Sequence, residues 1–116
     1  MSAGLAGVIL IPSVSLAQTS NTLSDSQRSC IKTAVDTREA AEYAAFDTFS
    51  GTMKSLLSTR RSSLSAAWSS SSDNRAAAKN AQKSFKEGEM SARQTLQKAN
   101  NNARETFQST AEECRA

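Results

Sequence analysis

The second half of this chain repeats itself every 11 residues. Ala81-Gln82-Lys83-Ser84-Phe85 returns as Ala92-Arg93-Gln94-Thr95-Leu96 and again as Ala103-Arg104-Glu105-Thr106-Phe107. Eleven residues make three helical turns at about 3.67 residues per turn, so such a stripe runs nearly straight or with a slight right-handed coil. The first half has the same period. Val35, Phe46, Leu57 and Trp68 recur at 11, flanked by Ala34, Ala45, Leu56 and Ala67. Pro12 is the only proline, and beyond it nothing forbids helix. Two segments sharing one period predict one shared interface: an all-α fold of two long antiparallel helices, a hendecad-type coiled-coil hairpin.

The ends and the turn follow from local chemistry. Ser24-Asp25-Ser26-Gln27 fits a capping box, in which Ser24 and Gln27 satisfy the first free N–H groups of a helix. Ser69-Ser70-Ser71-Ser72-Asp73-Asn74 is the one cluster of weak helix formers, and such residues favour caps and turns. The expected hairpin therefore has a helix over 24–69, a turn over 70–73 and a helix over 74–115, with Ser72 or Asp73 capping the second helix. Folding there sets Val35 against Phe107, Phe46 against Leu96, Leu57 against Phe85, Ile31 against Ala111 and Leu64 against Ala78. Phe49 meets Ala92, large against small, as close packing needs. Polar layers interrupt the stripe, with Glu42 opposite Asn100 and Glu89 opposite Met53. Gly51 and Gly88 lie near the second of these, which predicts a wet, loose waist or a hinge.

So thin a structure needs a staple. Of 116 residues 38% are apolar and 5% aromatic, too few for a thick core. The only cysteines, Cys30 and Cys114, fall at the same end of the expected hairpin, which predicts a disulfide between them. A disulfide-linked dimer is the competing arrangement, because extended hendecad helices also pair between chains. Residues 1–17 read as a signal peptide: an apolar run from Leu5 to Ile11, then Pro12 and Ser13, then small residues before a cleavage point between Ala17 and Gln18. The run is too short to span a bilayer. No Lys or Arg precedes it, so an uncleaved apolar tail is the alternative. Residues 18–23 form a flexible leader, leaving 24–116 as the folded unit. The expected location is outside the cytoplasm: periplasmic, cell-surface or secreted, where paired cysteines are the rule.

No catalytic inventory is visible. Histidine is absent, which removes the commonest general base and metal ligand. Pairing of the cysteines removes the thiolates. Ser29-Cys30-Ile31-Lys32 matches a Ser-x-x-Lys pattern, but the Ser-Asp-Asn and Lys-Thr-Gly elements that accompany it in penicillin-recognising enzymes are missing. Glu87 with Glu89, and Glu112-Glu113, lie in no EF-hand loop, and there is no glycine-rich phosphate loop. No enzyme, cofactor or metal site is expected. Tyr43 and Trp68 are single aromatics, with Trp68 expected as a lid on the hairpin core or, alternatively, as an exposed anchor at the tip.

Charge is more informative. Residues 54–98 hold nine of the 14 Lys and Arg but only three of the 11 Asp and Glu, so the turn end is basic and the disulfide end acidic. Arg60, Arg61, Arg75, Lys79, Lys83 and Lys86 are the candidate contacts to an anionic surface such as lipid headgroups or wall polymers. Head-to-tail self-association is a further option. Nucleic acid is not expected as a partner, since the net charge is only +3 and no groove-reading element appears. The function expected is that of a non-enzymatic envelope or secreted rod; the alternative is a chaperone-like hairpin holding clients on a loose apolar seam.

Cys30, the segment Ala45-Phe46-Asp47-Thr48-Phe49, Arg60, Ala66-Ala67-Trp68 and the closing Cys114-Arg115 resemble a group of small, exported, alanine-rich proteins of candidate-phyla (ultrasmall) bacteria. The resemblance covers most of the chain beyond the leader and implies export and a helical fold. Ser69–Ser72 and the asparagine run depart from it, and it carries no activity over. Periplasmic helical-hairpin chaperones are a looser match, lacking here their Leu-Thr-x-x-Gln element.

Overall fold

A computed structural model describes residues 22–69 and 73–116. They form two helices, α1 over Asp25–Ser69 and α2 over Asn74–Arg115, packed as an antiparallel hairpin 69 Å long. A helix of 45 residues spans about 67 Å, so the rod is as long as α1 itself. The expected signal peptide, the cleavage point at Ala17 and Gln18, most of the leader and turn positions 70–72 lie outside the described residues.

Both caps form from the expected residues. The Gln27 N–H donates to Ser24 Oγ at 3.0 Å, and the Ser24 N–H donates back to Gln27 Oε1 at 2.8 Å. At α2, the Asp73 carboxylate accepts from the Ala76 N–H at 3.3 Å. Each end of the hairpin is also tied across. Gln27 Nε2 donates to the Arg115 carbonyl at 3.3 Å, and Asn74 Nδ2 donates to the Ala67 carbonyl. Cys30 and Cys114 are bonded, with Cα atoms 5.6 Å apart, closing a chain separation of 84 residues.

The seam differs from the expected one by one position on α1. Its buried or half-buried line runs through Ala34, Ala45, Leu56 and Ala67, joined by Arg38, Phe49 and Arg60 and by Ile31, Glu42, Met53 and Leu64. The spacing is four, four, three, the hendecad rule. Phe46 and Leu57, expected at the centre, are 59% and 43% exposed, and Val35 is half-buried at the edge. Register differs too. Arg38, not Val35, covers Phe107, with its guanidinium carbon 4.5 Å from the ring centre; Arg60, not Leu57, covers Phe85 at 4.2 Å. Both corrections have one cause. A helix turns about 100° per residue, so with Cys30 bonded across the seam Ala34 lies about 40° from it and Val35 about 140° away. The disulfide therefore turns the alanine line inward and the aromatic line out.

On α2 the buried line is Ala81, Ala92, Ala103 and Cys114, with Phe85, Leu96 and Phe107 half-buried beside it. Alanine against alanine brings the axes close, while the rings fill the space along one flank. The arginine stems cover Phe85 and Phe107 at half-buried positions, each contact worth about 0.5–2 kcal/mol between the exposed and desolvated limits. Glu42 and Asn100, and Glu89 with the apolar Met53, are all half-buried at the seam. Asn100 Oδ1 is buried with no donor among the described residues.

The two glycines are not equivalent. Gly51 is exposed, and an added Cβ there would have nothing within 4 Å. At Gly88 the Cβ would sit 2.5 Å from Leu56 Cδ2, where the helices approach closely. Gly51→Ala should thus gain about 1 kcal/mol of helix propensity and raise the thermal midpoint by about 4–8 °C. Gly88→Ala gains the same propensity but must displace Leu56 at a cost of about 1–3 kcal/mol, so on balance it should lower the midpoint slightly. Thermal melts followed by circular dichroism should rank Gly51→Ala above the parent and Gly88→Ala below it.

Candidate interaction surfaces

In an antiparallel pair, the residue after each seam position projects to the same side from both helices, and the residue before it to the other. The hairpin therefore has two unlike broad faces and two outer edges. One broad face is a groove lined by small side chains. Thr37 and Ala41 meet Thr106 and Ala99 near the disulfide end, Thr48 and Thr52 meet Ser91 and Thr95 at the waist, and Ser63 meets Ala77 and Ser84 near the turn. The other broad face carries the displaced aromatic line of α1.

That line is the feature the sequence reading placed wrongly. Phe46, Leu57 and Trp68 each follow a seam residue, Ala45, Leu56 and Ala67, so all three lie on one strip of α1 about 100° round from the seam. Trp68 is 63% exposed and is not the lid expected; it stands at the turn end as an open anchor. Phe46 touches Phe49 with ring centres 6.4 Å apart, which links the strip to the seam. Tyr43 and Met90 are exposed as well, farther round on their helices.

The basic candidates divide. On α2, Arg75, Lys79, Lys83 and Lys86 are all exposed and are spaced four, four and three, so they form a ridge, with Lys79 and Lys83 on the outer side of the helix and Arg75 and Lys86 towards the face of the aromatic line. Arg61 is exposed on α1. None of these five has a carboxylate within 4 Å among the described residues; the ion pairs there join Arg28 to Asp25, Lys32 to Asp36, Arg38 to Glu39 and Arg93 to Glu89. Arg60 differs, being half-buried with its guanidinium held over Phe85. Three of the four pairs lie in the disulfide half of the rod, where cations meet neighbouring acids, whereas none of the ridge cations is ion-paired, Glu87 beside Lys86 being the nearest acid in sequence.

Among the described residues no three cysteine or acidic side chains come together as a metal site requires. No helix among them is long and apolar enough to cross a membrane. Both cysteines are bonded, as suits a non-reducing environment. Compared with protein-family models, curated proteins and solved structures, the chain matches none.

Proposed function

We propose that the chain is an exported, non-enzymatic rod that docks through its basic turn end on anionic envelope components. One observation carries the reading: Arg75, Lys79, Lys83 and Lys86 form an exposed ridge in which no cation is ion-paired and Glu87 is the one acid among residues 74–88. With four cations to one acid, such a ridge keeps a net positive charge available to a partner. Lipid headgroups and wall polymers both present rows of fixed negative charge, and a straight helical edge with cations at each turn meets such a row without reshaping. The disulfide supports a place outside the reducing cytoplasm. The lack of histidine supports a role in binding over one in catalysis.

Co-sedimentation of the oxidised protein with phosphatidylglycerol vesicles, beside phosphatidylcholine vesicles, tests the reading. Binding should be confined to the anionic vesicles and should weaken steeply as salt shortens the screening length from about 10 Å at 0.1 M to about 3 Å at 1 M. Equal binding to both vesicle types, or none to either, would remove the docking role.

A further inference from the structure

The geometry points to a second copy of this chain as the occupant of the Val35, Phe46, Leu57 and Trp68 strip, laid antiparallel with strip on strip. Three of these side chains are large and exposed while six alanines are among the few buried residues, so the hairpin leaves Phe46, Leu57 and its one tryptophan outside its own seam. Their spacing is the same 11 residues that holds α1 against α2. Two stripes of one period stay in contact along their whole length, whereas a partner of another period drifts off after a few turns.

Charge selects the direction. Within α1, residues 25–47 carry five acids against three bases, while residues 48–69 carry the bases Lys54, Arg60 and Arg61 and no acid. Parallel copies would set like charge on like; antiparallel copies set each acidic half on the basic half of the other. One antiparallel register covers the whole strip, placing Phe46 on the second copy's Leu57 and Val35 on its Trp68. The two-fold axis then passes between Gly51 and Thr52. Glu39 and Arg61 follow the strip on the same flank, and this register brings each within a turn of the other across the interface. From Val35 to Trp68 the strip runs about 50 Å. With a contact width of about 10 Å it buries about 500 Å² on each copy, which reaches the total of about 1,000 Å² that a specific interface needs. Lys79 and Lys83 of α2 stay on the outer side of each hairpin, so pairing leaves them open.

Sedimentation equilibrium of the full oxidised chain is the test, with circular dichroism as the check on folding. The parent should have the mass of a dimer, weakened by salt. Phe46→Ser with Leu57→Ser should raise its dissociation constant by at least about 100-fold, since each change acts twice in a two-fold interface, and should leave the helical signal unchanged because both side chains are exposed. Met90→Ser, off the strip, should change nothing. Glu39→Lys and Arg61→Glu should each weaken the dimer, and the two together should restore it. A parent that stays monomeric overturns the proposal. So does a dimer indifferent to the paired serine change, as association through the apolar run from Leu5 to Ile11 would be. Failure of the double charge swap to restore pairing, or growth beyond the dimer through the small-residue groove, overturns it as well.

Discussion

Reducing the Cys30–Cys114 bond, or replacing both cysteines by serine, should lower the thermal midpoint by about 20 °C or more. Cross-linking residues 84 apart removes loop-closure entropy from the unfolded chain worth about 4–5 kcal/mol. Folded domains are stable by only about 0.05–0.15 kcal/mol per residue. This hairpin belongs at the low end, because among the described residues those buried are six alanines and one half of the disulfide, with no large side chain fully buried. A loss of 4–5 kcal/mol thus consumes most of what holds it. At about 4–8 °C per kcal/mol the midpoint shift follows. The oxidised protein should melt in one cooperative step at 222 nm; the reduced protein should lose helix gradually, as isolated helices do when no interface couples them. A reduced protein melting within a few degrees of the oxidised one would show that the seam alone suffices.

The same bond explains what the sequence did and did not disclose. Helix limits were legible because their signals are local: the Ser24/Gln27 box and the Asp73 cap both form. The hendecad period was legible because alanine recurs where axes must approach. What the period cannot fix is which of two neighbouring lines on α1 faces inward, since Ala34, Ala45, Leu56 and Ala67 repeat as faithfully as Val35, Phe46, Leu57 and Trp68. Hydrophobicity favours the second line, and the structure uses the first. Treating Cys30 as an angular marker as well as a pairing partner resolves the choice, because a bonded Cys30 cannot share the seam with a residue five positions on. Register follows the bond as well: Leu56 stands at Gly88 and Arg60 at Phe85, close to the offset set by Cys30 and Cys114. Of the six basic candidates Arg60 alone is not exposed, and its stacking on Phe85 depends on a contact between helices that the sequence of either one does not show.

Changing Lys79, Lys83 and Lys86 together to glutamine should weaken binding to phosphatidylglycerol vesicles by about 100-fold. A lysine close to an anionic membrane contributes about 1 kcal/mol, so three contribute about 3 kcal/mol, and each 1.4 kcal/mol is a factor of ten. The matching control is Lys32→Gln with Arg104→Gln and Arg115→Gln at the disulfide end. Both triples take the formal net charge from +3 to zero. They differ only in place, and place decides the outcome because the rod is 69 Å long while charges in physiological salt act over about 8 Å. A ridge that docks side-on senses its own three lysines and not cations several screening lengths away, one of which, Lys32, already faces Asp36 at 3.3 Å. The control should therefore weaken binding by no more than a few-fold. Equal losses in the two triples would mean that the vesicle reads net charge alone, and the polarity of the rod would then have no part in where it binds.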